Sequence, residues 1–332
     1  MSPHSLEIIF AQSILPHAFF AALRFGLYST LTRSPMSAET IARTLGLSRR
    51  AVSVLLDAQV LVGLVKRDSD ARYSATEEAV TFLHPDGPGY CVAIYEKWLH
   101  SLRNLDSALQ NDSPAVDVTA PAFQSEWVHY ARKSLVSWPN EAKQAMQDWC
   151  DLVSQGWVHA DSRVAYFASG AGVFGMAFAQ FSERCRVMLL DRPDVLDIAR
   201  SVATLMRVGE RVEYHPFELR RTNREAEDSP SLPAVDIAIF RETLHYLPPN
   251  EVRDLLKRAQ RTFGGIEKVL VINRFLKDTR SGPRPCFIDN AYMAATAPHW
   301  ESYTESEIGS IFSDSSYPVR TQINERTWLF SR

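Results

Sequence analysis

The sequence predicts an α/β protein in which a mainly helical N-terminal region precedes a doubly wound, mostly parallel sheet. Three observations support this fold class. Short apolar strands alternate with helical segments from residue 163 to the end of the chain. Two capped helices and two short strands lie between Ser37 and Ala75. An apolar run at Val164 leads directly into a glycine-bearing turn.

The N-terminal region begins with apolar side chains at helical spacing over residues 6–30. Because proline removes a helical hydrogen bond, we expect the helices to be interrupted at Pro16. Two shorter helices follow, each begun by a serine cap and closed near a glycine. The markers are Ser37 and Gly46 for the first helix, and Ser48, Leu61 and Gly63 for the second. Residues 64–68 and 71–75 flank a turn, so this segment reads as a winged-helix unit.

The middle of the chain, residues 90–158, is predicted to be helical and is rich in aromatic side chains, with a polar break at 110–120. Strands and helices then alternate, which is typical of a parallel sheet. The predicted strands are 164–168, 187–190, 211–215, 235–240, 268–273, 317–321 and 326–330.

The first two of these strands form a nucleotide-binding βαβ pattern. Gly170 and Gly172 allow the backbone to approach a ligand at the start of the next helix, and Asp191 ends the second strand about 20 residues later. An acid at that place can bind ribose hydroxyls. Ala168 and Ser169 stand where such loops often carry glycine. A turn that serves packing alone therefore remains the alternative at this point.

Composition excludes several classes of function. A net charge of −3 and a pI near 6.3 count against nucleic acid as the main partner. The four cysteines are scattered without a CxxC pair, which argues against a zinc site or a disulfide framework and fits a reduced cytosol. No apolar run approaches the roughly 18 residues of a membrane span, and no signal peptide is evident. We expect a cytoplasmic protein without metal.

A winged helix also raises the possibility of a DNA-binding regulator. Its second helix has basic residues only at the start, Arg49 and Arg50, and carries Asp57 further along. The alternative is that this unit packs against a second subunit, which the apolar N-terminal helices also favour.

Six segments together resemble a known family, the S-adenosylmethionine-dependent O-methyltransferases of the plant caffeate type and their bacterial relatives in phenazine and polyketide pathways. The resemblance rests on their order and spacing. Besides the glycine turn, the segments are Ala38–Leu47 with Arg72–Thr76, Leu190–Val195, Phe240–Leu247, Phe263–Gly265 and Tyr303–Glu307.

The resemblance implies a winged-helix dimerisation domain over 1–100, a helical linker with substrate-pocket helices over 101–160, and a Rossmann-like S-adenosylmethionine-binding catalytic domain over 161–332. It also implies that the protein forms a homodimer and that it acts in the biosynthesis of secondary metabolites. The expected acceptor is a hydroxyl of a small aromatic or polyketide-like metabolite.

The family's functional residues fall on named positions of this chain. Asp191 corresponds to the ribose-binding acid, Arg241 to the strand-four lysine and His245 to the general base. Glu218 and Leu219 match the adenine-side motif imperfectly, and a solvated loop glutamate is the alternative for Glu218. The implied cofactor contacts are Ala168, Gly170, Gly172, Asp191, Glu218, Leu219 and Arg241.

The chemistry explains a histidine at position 245. Methyl transfer is an in-line displacement that needs an aligned acceptor and no metal. A phenol of pKa about 10 must lose its proton as it attacks, and an imidazole with an ordinary pKa near 6.5 can accept it at neutral pH. We expect Trp98, Met293 and Trp300 to contact the acceptor.

Four positions depart from the family pattern. Tyr166 replaces the strand-one acid and Ala168 replaces the first loop glycine, so the hold on the methionine portion of the cofactor is expected to be weakened. Tyr246 replaces an aspartate beside the base, and Asn273 replaces a supporting glutamate. The second supporting glutamate falls on Ser302 in an ungapped match, or on Glu301 after a one-residue slip. A repurposed enzyme that performs a cyclisation, rearrangement or hydroxylation is therefore the alternative function.

Overall fold

The computed structural model describes residues 3–118, 120–220, 232–297 and 302–332. The chain forms two compact units, Met1–Glu96 and Lys97–Arg332. The helices between residues 101 and 160, which the sequence sets apart as a linker, fall within the second unit. The three-part division of the chain stays a prediction.

The first unit is mainly helical. Its two serine-capped helices form as predicted, because Ser37 Oγ accepts the N–H of Thr40 and Ser48 Oγ accepts the N–H of Ala51. The helices are α1 (Pro3–Arg24), α2 (Leu27–Thr30), α3 (Ala38–Leu45), α4 (Arg49–Leu61) and α5 (Glu77–Phe82). The strands β1 (Met36–Ser37), β2 (Val65–Arg67) and β3 (Arg72–Ala75) form an antiparallel sheet in the order β1-β3-β2.

The predicted interruption at Pro16 is wrong, because α1 continues through this residue as a single helix. Proline removes one helical hydrogen bond, which a long helix tolerates when its neighbouring turns remain bonded. Nearby side chains add bonds to this part of the helix. His17 Nδ1 lies 2.8 Å from the carbonyl oxygen of Ser13, and Ser13 Oγ donates to the carbonyl of Phe10.

The second unit contains a seven-stranded sheet, and all seven predicted strands are present. The strands are β4 (Arg163–Phe167), β5 (Arg186–Asp191), β6 (Val212–Pro216), β7 (Ile237–Arg241), β8 (Lys268–Ile272), β9 (Val319–Gln322) and β10 (Thr327–Ser331), in the order β6-β5-β4-β7-β8-β10-β9. The first five run parallel, and β10 is antiparallel to both β8 and β9. The mostly parallel sheet is therefore confirmed.

Helices accompany this sheet along the chain. They are α6 (Val92–Arg103), which contains the boundary between the units, α7 (Leu105–Asn111), α8 (Trp127–Ser134), α9 (Trp138–Ser154), α10 (Val173–Phe181), α11 (Pro193–Met206), α12 (Pro249–Thr262), α13 (Arg284–Ala294) and α14 (Glu305–Asp314).

Two apolar cores lie against the sheet, because successive strand residues point to opposite faces. In β4, Val164 and Tyr166 belong to one core, which also contains Trp149 of α9. Ala165 and Phe167 belong to the other core, with side chains of α12 and α14. Both faces of the central strand are covered, so its polar groups can reach a ligand only at the ends of the strand.

Helix α9 is joined to the C-terminal hairpin by a buried carboxylate. Asp148 is 0% exposed and accepts hydrogen bonds from Asn324 Nδ2 at 2.7 Å, Gln144 Nε2 at 3.1 Å and Thr327 Oγ1 at 3.3 Å. Burial raises the pKa of Asp148, and these three donors oppose that rise. The carboxylate thus ties the helix to the turn between β9 and β10.

Across the described ranges, none of the helices combines the length and the apolar character that a membrane crossing requires.

Candidate active site

A cavity of about 340 Å³ opens at the carboxyl ends of the parallel strands. Within the sheet, β5 and β6 lie on one side of β4, and the chain then returns to place β7 and β8 on the other side of β4. Ligands of open α/β sheets bind at such a reversal of strand order. The residues that line the cavity are Val118, Trp127, Tyr130, Ala131, Lys133, Ser134, Glu141, Tyr166, Ala168, Ser169, Gly170, Asp191, Arg192, Val195, Phe217, Glu218, Leu219, Arg220, Arg241, Glu242, Thr243 and Tyr246.

The loop after β4 adopts the left-handed backbone conformation at three of the predicted positions. The φ angles are +47° at Ala168, +57° at Gly170 and +76° at Gly172. Ala168 and Gly170 line the cavity, and a Cβ at Gly170 would have no neighbouring atom within 4 Å. Gly172 does not line the cavity, and a Cβ there would lie 2.6 Å from Leu189 Cδ1 in the core. The two glycines therefore serve different purposes.

This difference gives a paired prediction for alanine variants. Gly172→Ala should lower the free energy of unfolding by about 2 kcal/mol, because it adds both backbone strain and a clash with a packed side chain. Gly170→Ala should cost only about 1 kcal/mol of strain, but its methyl group enters the cavity and should weaken ligand binding. Denaturant unfolding and titration calorimetry with S-adenosylhomocysteine separate the two effects. Equal losses of affinity in both variants would contradict this assignment.

Asp191 lies at the end of β5, beside the glycine loop. Its Oδ2 accepts the N–H of Gly170 and its Oδ1 accepts the N–H of Arg192, both at 2.7 Å. Each carboxylate oxygen keeps a second lone pair, so the group can still accept hydrogen bonds from two hydroxyls. Burial raises the pKa of Asp191 to about 6, and the two N–H donors oppose that rise. The carboxylate is thus mainly ionised at neutral pH.

The wall beyond β6 is mainly apolar. Phe217 and Leu219 line it, and the ring of Phe217 contacts that of Phe167 edge-on, with centroids 5.0 Å apart. Arg258 fixes the loop by donating to the carbonyl oxygens of Glu218 at 3.0 Å and Leu219 at 2.6 Å. A flat ring of a ligand would fit against such a surface. The side chain of Glu218 is exposed, and its role stays a prediction.

An ion pair between a buried glutamate and a half-buried arginine forms the opposite end of the cavity. Arg241 Nη1 donates to Glu141 Oε1 at 3.1 Å, and Arg241 also hydrogen-bonds to the hydroxyl of Tyr166. Glu141 comes from the first turn of α9 and accepts the N–H of Phe174 as well. The sequence interpretation missed Glu141. Its signal was an acid in register with the buried residues Ala145 and Trp149 of the same helix.

Two polar atoms at this end have no partner within the part of the chain that the structure describes. They are the hydroxyl Oγ of Ser169 and the Nε of Arg241, and both are buried. Both residues line the cavity. Because unsatisfied buried polar groups are costly, these two atoms are candidates for binding a polar group of a ligand.

His245 lies in a 3₁₀ turn, Leu244–Tyr246, just past β7. Its Nδ1 is 3.1 Å from Oδ1 of the buried Asn273 at the end of β8. Because the amide oxygen accepts, Nδ1 carries the proton, and Nε2 of the neutral ring keeps its lone pair. Burial lowers the pKa of His245, and Glu242 and Asn273 oppose this. His245 does not itself line the cavity; its neighbour Tyr246 does, with the two ring centroids 4.3 Å apart.

Aromatic side chains form the wall next to Tyr246. Trp127 and Tyr130 line the cavity, and their rings lie 4.9 Å apart, while Trp127 meets Tyr246 edge-on at 5.6 Å. Trp98 is not a lining residue but supports the wall from behind, since its Nε1 donates to the hydroxyl of Tyr130 at 2.5 Å.

Met293 is buried on α13 and does not line this cavity either. Trp300 and Glu301 lie outside the described residues. The substrate contacts predicted for Trp98 and Met293 stay predictions, as does the part assigned to Glu301. Ser302, the other position considered for the second glutamate, is buried, and its N–H donates to Asn290 Oδ1 at 2.9 Å. The described residues hold no cluster of three or more His, Cys, Asp or Glu side chains placed to bind a metal ion.

Comparison with known proteins agrees with this architecture. Residues 6–85 match the family model of the O-methyltransferase dimerisation domain, and residues 162–318 match that of the O-methyltransferase domain. The chain is 23% identical over 303 residues to rat (Rattus norvegicus) acetylserotonin O-methyltransferase, covering 87% of this chain and 67% of that protein.

Solved structures show the same fold at low sequence identity. Human N-acetylserotonin methyltransferase, solved in complex with S-adenosylmethionine, has a TM-score of 0.73 at 17% identity, covering 100% of this chain and 98% of that one. An O-methyltransferase family protein from Burkholderia thailandensis has a TM-score of 0.70 at 20% identity, with the same coverage of 100% and 98%. The two matched domains and the fold together place this chain in the S-adenosylmethionine-dependent O-methyltransferase family.

Proposed function

We propose that this enzyme transfers a methyl group from S-adenosylmethionine to a hydroxyl of a small aromatic or polyketide-like metabolite. The observation that carries the proposal is the pairing of Asp191 with Gly170 at the carboxyl edge of the sheet. This pairing puts an ionised acceptor beside a backbone without a side chain, at the place where strand order reverses.

The residues of the cavity fit this cofactor from end to end. Asp191 would accept hydrogen bonds from the ribose hydroxyls, and Phe217 and Leu219 would contact the adenine ring. The buried hydroxyl of Ser169 and the Nε of Arg241 offer donors that the described part of the protein leaves unpaired. When bound, the cofactor supplies an electrophilic methyl group on a sulfonium centre.

The acceptor side of the cavity combines aromatic surfaces with one candidate base. Trp127, Tyr130 and Tyr246 present ring faces and edges against which a flat acceptor can stack. His245 stands beside this wall, and its bond to Asn273 Oδ1 places the ring proton on Nδ1, so Nε2 is the nitrogen that would accept a proton. Asn273 fixes the ring as a carboxylate would, but it stabilises the charged imidazolium less because the amide is neutral. We therefore expect a base weaker than a carboxylate-supported histidine.

Product mass tests the proposal directly. Incubation with S-adenosylmethionine and candidate phenolic and polyketide-like hydroxyl compounds should yield a product in which a methyl group has replaced the hydroxyl hydrogen, with an equal amount of S-adenosylhomocysteine and a released proton. The oxygen-methylated position is then read by NMR. An altered carbon skeleton without a methyl gain would contradict methyl transfer.

That contrary result is the outcome expected of the second candidate, a non-methylating enzyme on the same scaffold. The observation that favours it is the end of β4 and the loop that follows, where Tyr166 and Ala168 replace the acid and glycine of the family pattern and Ala168 adopts φ +47°. Fold alone does not decide between the two reactions.

We also propose a homodimer formed by the first unit. Helices α1 and α4 expose large apolar side chains, including Phe10 at 71% and Leu61 at 73%, and exposed apolar surface of this kind marks interfaces. Light scattering at micromolar concentration should give twice the chain mass of 37.5 kDa. A Phe10→Glu, Ile14→Glu variant should be a folded monomer. A wild-type monomer at that concentration would rule the dimer out.

The pKa of Asp191 predicts how cofactor affinity depends on pH. Because burial raises this pKa to about 6, the carboxylate becomes protonated in mildly acidic solution and loses acceptor strength. Affinity for S-adenosylhomocysteine should be constant above pH 7 and should fall up to tenfold per pH unit below about 6. Calorimetry on wild type and Asp191→Asn checks this, since the variant should bind weakly at every pH. A wild-type affinity unchanged down to pH 5 would contradict it.

A further inference from the structure

The cavity lacks a negative charge where the family pattern places one. Tyr166 occupies the position of the strand-one acid at the end of β4, and its hydroxyl stays neutral because burial raises its pKa. A neutral phenol cannot balance the ammonium group at the methionine end of S-adenosylmethionine. Some other group must do so if the cofactor binds in this cavity.

Four acidic residues line the cavity, namely Glu141, Asp191, Glu218 and Glu242. Asp191 is bonded to two backbone N–H groups at the ribose position, and Glu242 pairs with Arg326. Glu218 is exposed on the far side, past β6. Glu141 is the acid at the same end as Tyr166, because both side chains contact Arg241.

Glu141 is buried and already faces a cation. Its side chain is 6% exposed and that of Arg241 is 21% exposed, with 3.1 Å between Oε1 and Nη1. A buried ion pair contributes little to stability by itself, because removing two charges from water costs about as much as their attraction returns. At the wall of a cavity, the same pair presents an acid and a cation side by side, with Arg241 opposing the rise that burial causes in the pKa of Glu141. That arrangement is complementary to the ammonium and carboxylate of an amino acid.

We propose that Glu141 replaces the missing strand-one acid and binds the α-ammonium group of the cofactor, while Arg241 and Ser169 bind its α-carboxylate. The negative charge has moved from the end of β4 to the first turn of α9. The buried, unpaired Ser169 Oγ and Arg241 Nε are the donors that a carboxylate would satisfy. This inference rests on the proposed S-adenosylmethionine site.

A cycle of ligand and protein changes tests the contact by calorimetry, without measuring turnover. The ligands are S-adenosylhomocysteine, its desamino analogue, which lacks only the ammonium group, and 5′-methylthioadenosine, which lacks the whole amino acid. The variant Glu141→Gln keeps the shape of the side chain and can still accept from Arg241. Asp151→Asn, an acid-to-amide change at a half-buried position of the same helix that does not line the cavity, is the matched control.

Wild type should bind the desamino analogue about 10–100-fold more weakly than S-adenosylhomocysteine, as expected for one charge-assisted hydrogen bond. Glu141→Gln should bind S-adenosylhomocysteine more weakly than wild type by a similar factor. This variant should also bind S-adenosylhomocysteine and the desamino analogue with equal affinity. Its affinity for 5′-methylthioadenosine should stay within threefold of wild type. Asp151→Asn should match wild type toward all three ligands.

Three results would overturn the assignment. The first is a wild-type affinity for the desamino analogue within threefold of that for S-adenosylhomocysteine, and it needs no variant to fold. The second is an equal loss of affinity for all three ligands in a folded Glu141→Gln protein. If wild type binds none of the three at millimolar concentration, the cofactor site itself fails, and this contact fails with it.

Discussion

Asp191→Ala is expected to abolish most binding of S-adenosylmethionine and S-adenosylhomocysteine. The carboxylate would accept bonds from two ribose hydroxyls, and each charge-assisted bond contributes about 1.5–3 kcal/mol. Losing both corresponds to a drop in affinity of at least about 100-fold. The change also removes the acceptor of the Gly170 and Arg192 N–H groups, which holds the loop beside the site. Calorimetry on the purified variant measures the loss directly.

The matched control is Asp197→Ala on α11, where an exposed aspartate lies 3.8 Å from Arg200 and does not line the cavity. It should bind the cofactor as wild type does. A melting curve for each protein separates lost binding from lost folding. If folded Asp191→Ala keeps an affinity within threefold of wild type, the ribose assignment is wrong.

His245→Ala should lower turnover by about 10²–10⁴ while cofactor affinity stays nearly unchanged. The side chain would act on the proton of the acceptor and has no part in holding the cofactor. Turnover should also fall as pH is lowered, because only the neutral imidazole can accept a proton. Burial lowers the pKa of His245, so this fall should occur below the ordinary histidine value of 6.5.

The Ala and Gln variants at position 245 should be compared side by side, each with its melting curve. A general base predicts that both are slow. A hydrogen-bond donor in a non-methylating reaction predicts partial rescue by Gln. A purely structural histidine predicts a lower melting temperature with normal turnover per folded molecule. Retention of more than about a third of wild-type turnover in His245→Ala would exclude the base assignment.

Much of the fold can be predicted because local rules and tertiary packing agree. Ser37 and Ser48 cap the helices that they are expected to begin, and Asp191 reaches the glycine loop because parallel strands end at a common edge. Pro16 is the exception. The rule that proline ends a helix describes one missing bond, and the neighbouring turns of a long helix can outweigh it.

The site is less predictable than the fold. Asp191 and Arg241 both stand at strand ends, where sequence motifs can locate functional residues. Glu141 lies on a helix that precedes the first strand of the sheet, and its place at the cavity depends on packing across the whole unit. The replacement of a carboxylate by Asn273 could be seen in the sequence. That its amide oxygen would still orient the ring of His245 could not, because this depends on side-chain geometry.

Helix α9 carries Glu141 and Asp148 seven residues apart, which is about two turns and about 10 Å along its axis. A slip by a single residue would rotate Glu141 by roughly 100° and turn it away from Arg241. Asp148 prevents this slip, because its bonds to Asn324 and Thr327 fix the rotational setting of the helix against the β9–β10 hairpin. The C-terminal residues thus fix the orientation of a helix that is distant from them in sequence. The position of Glu141 beside Arg241 is therefore set before a ligand binds.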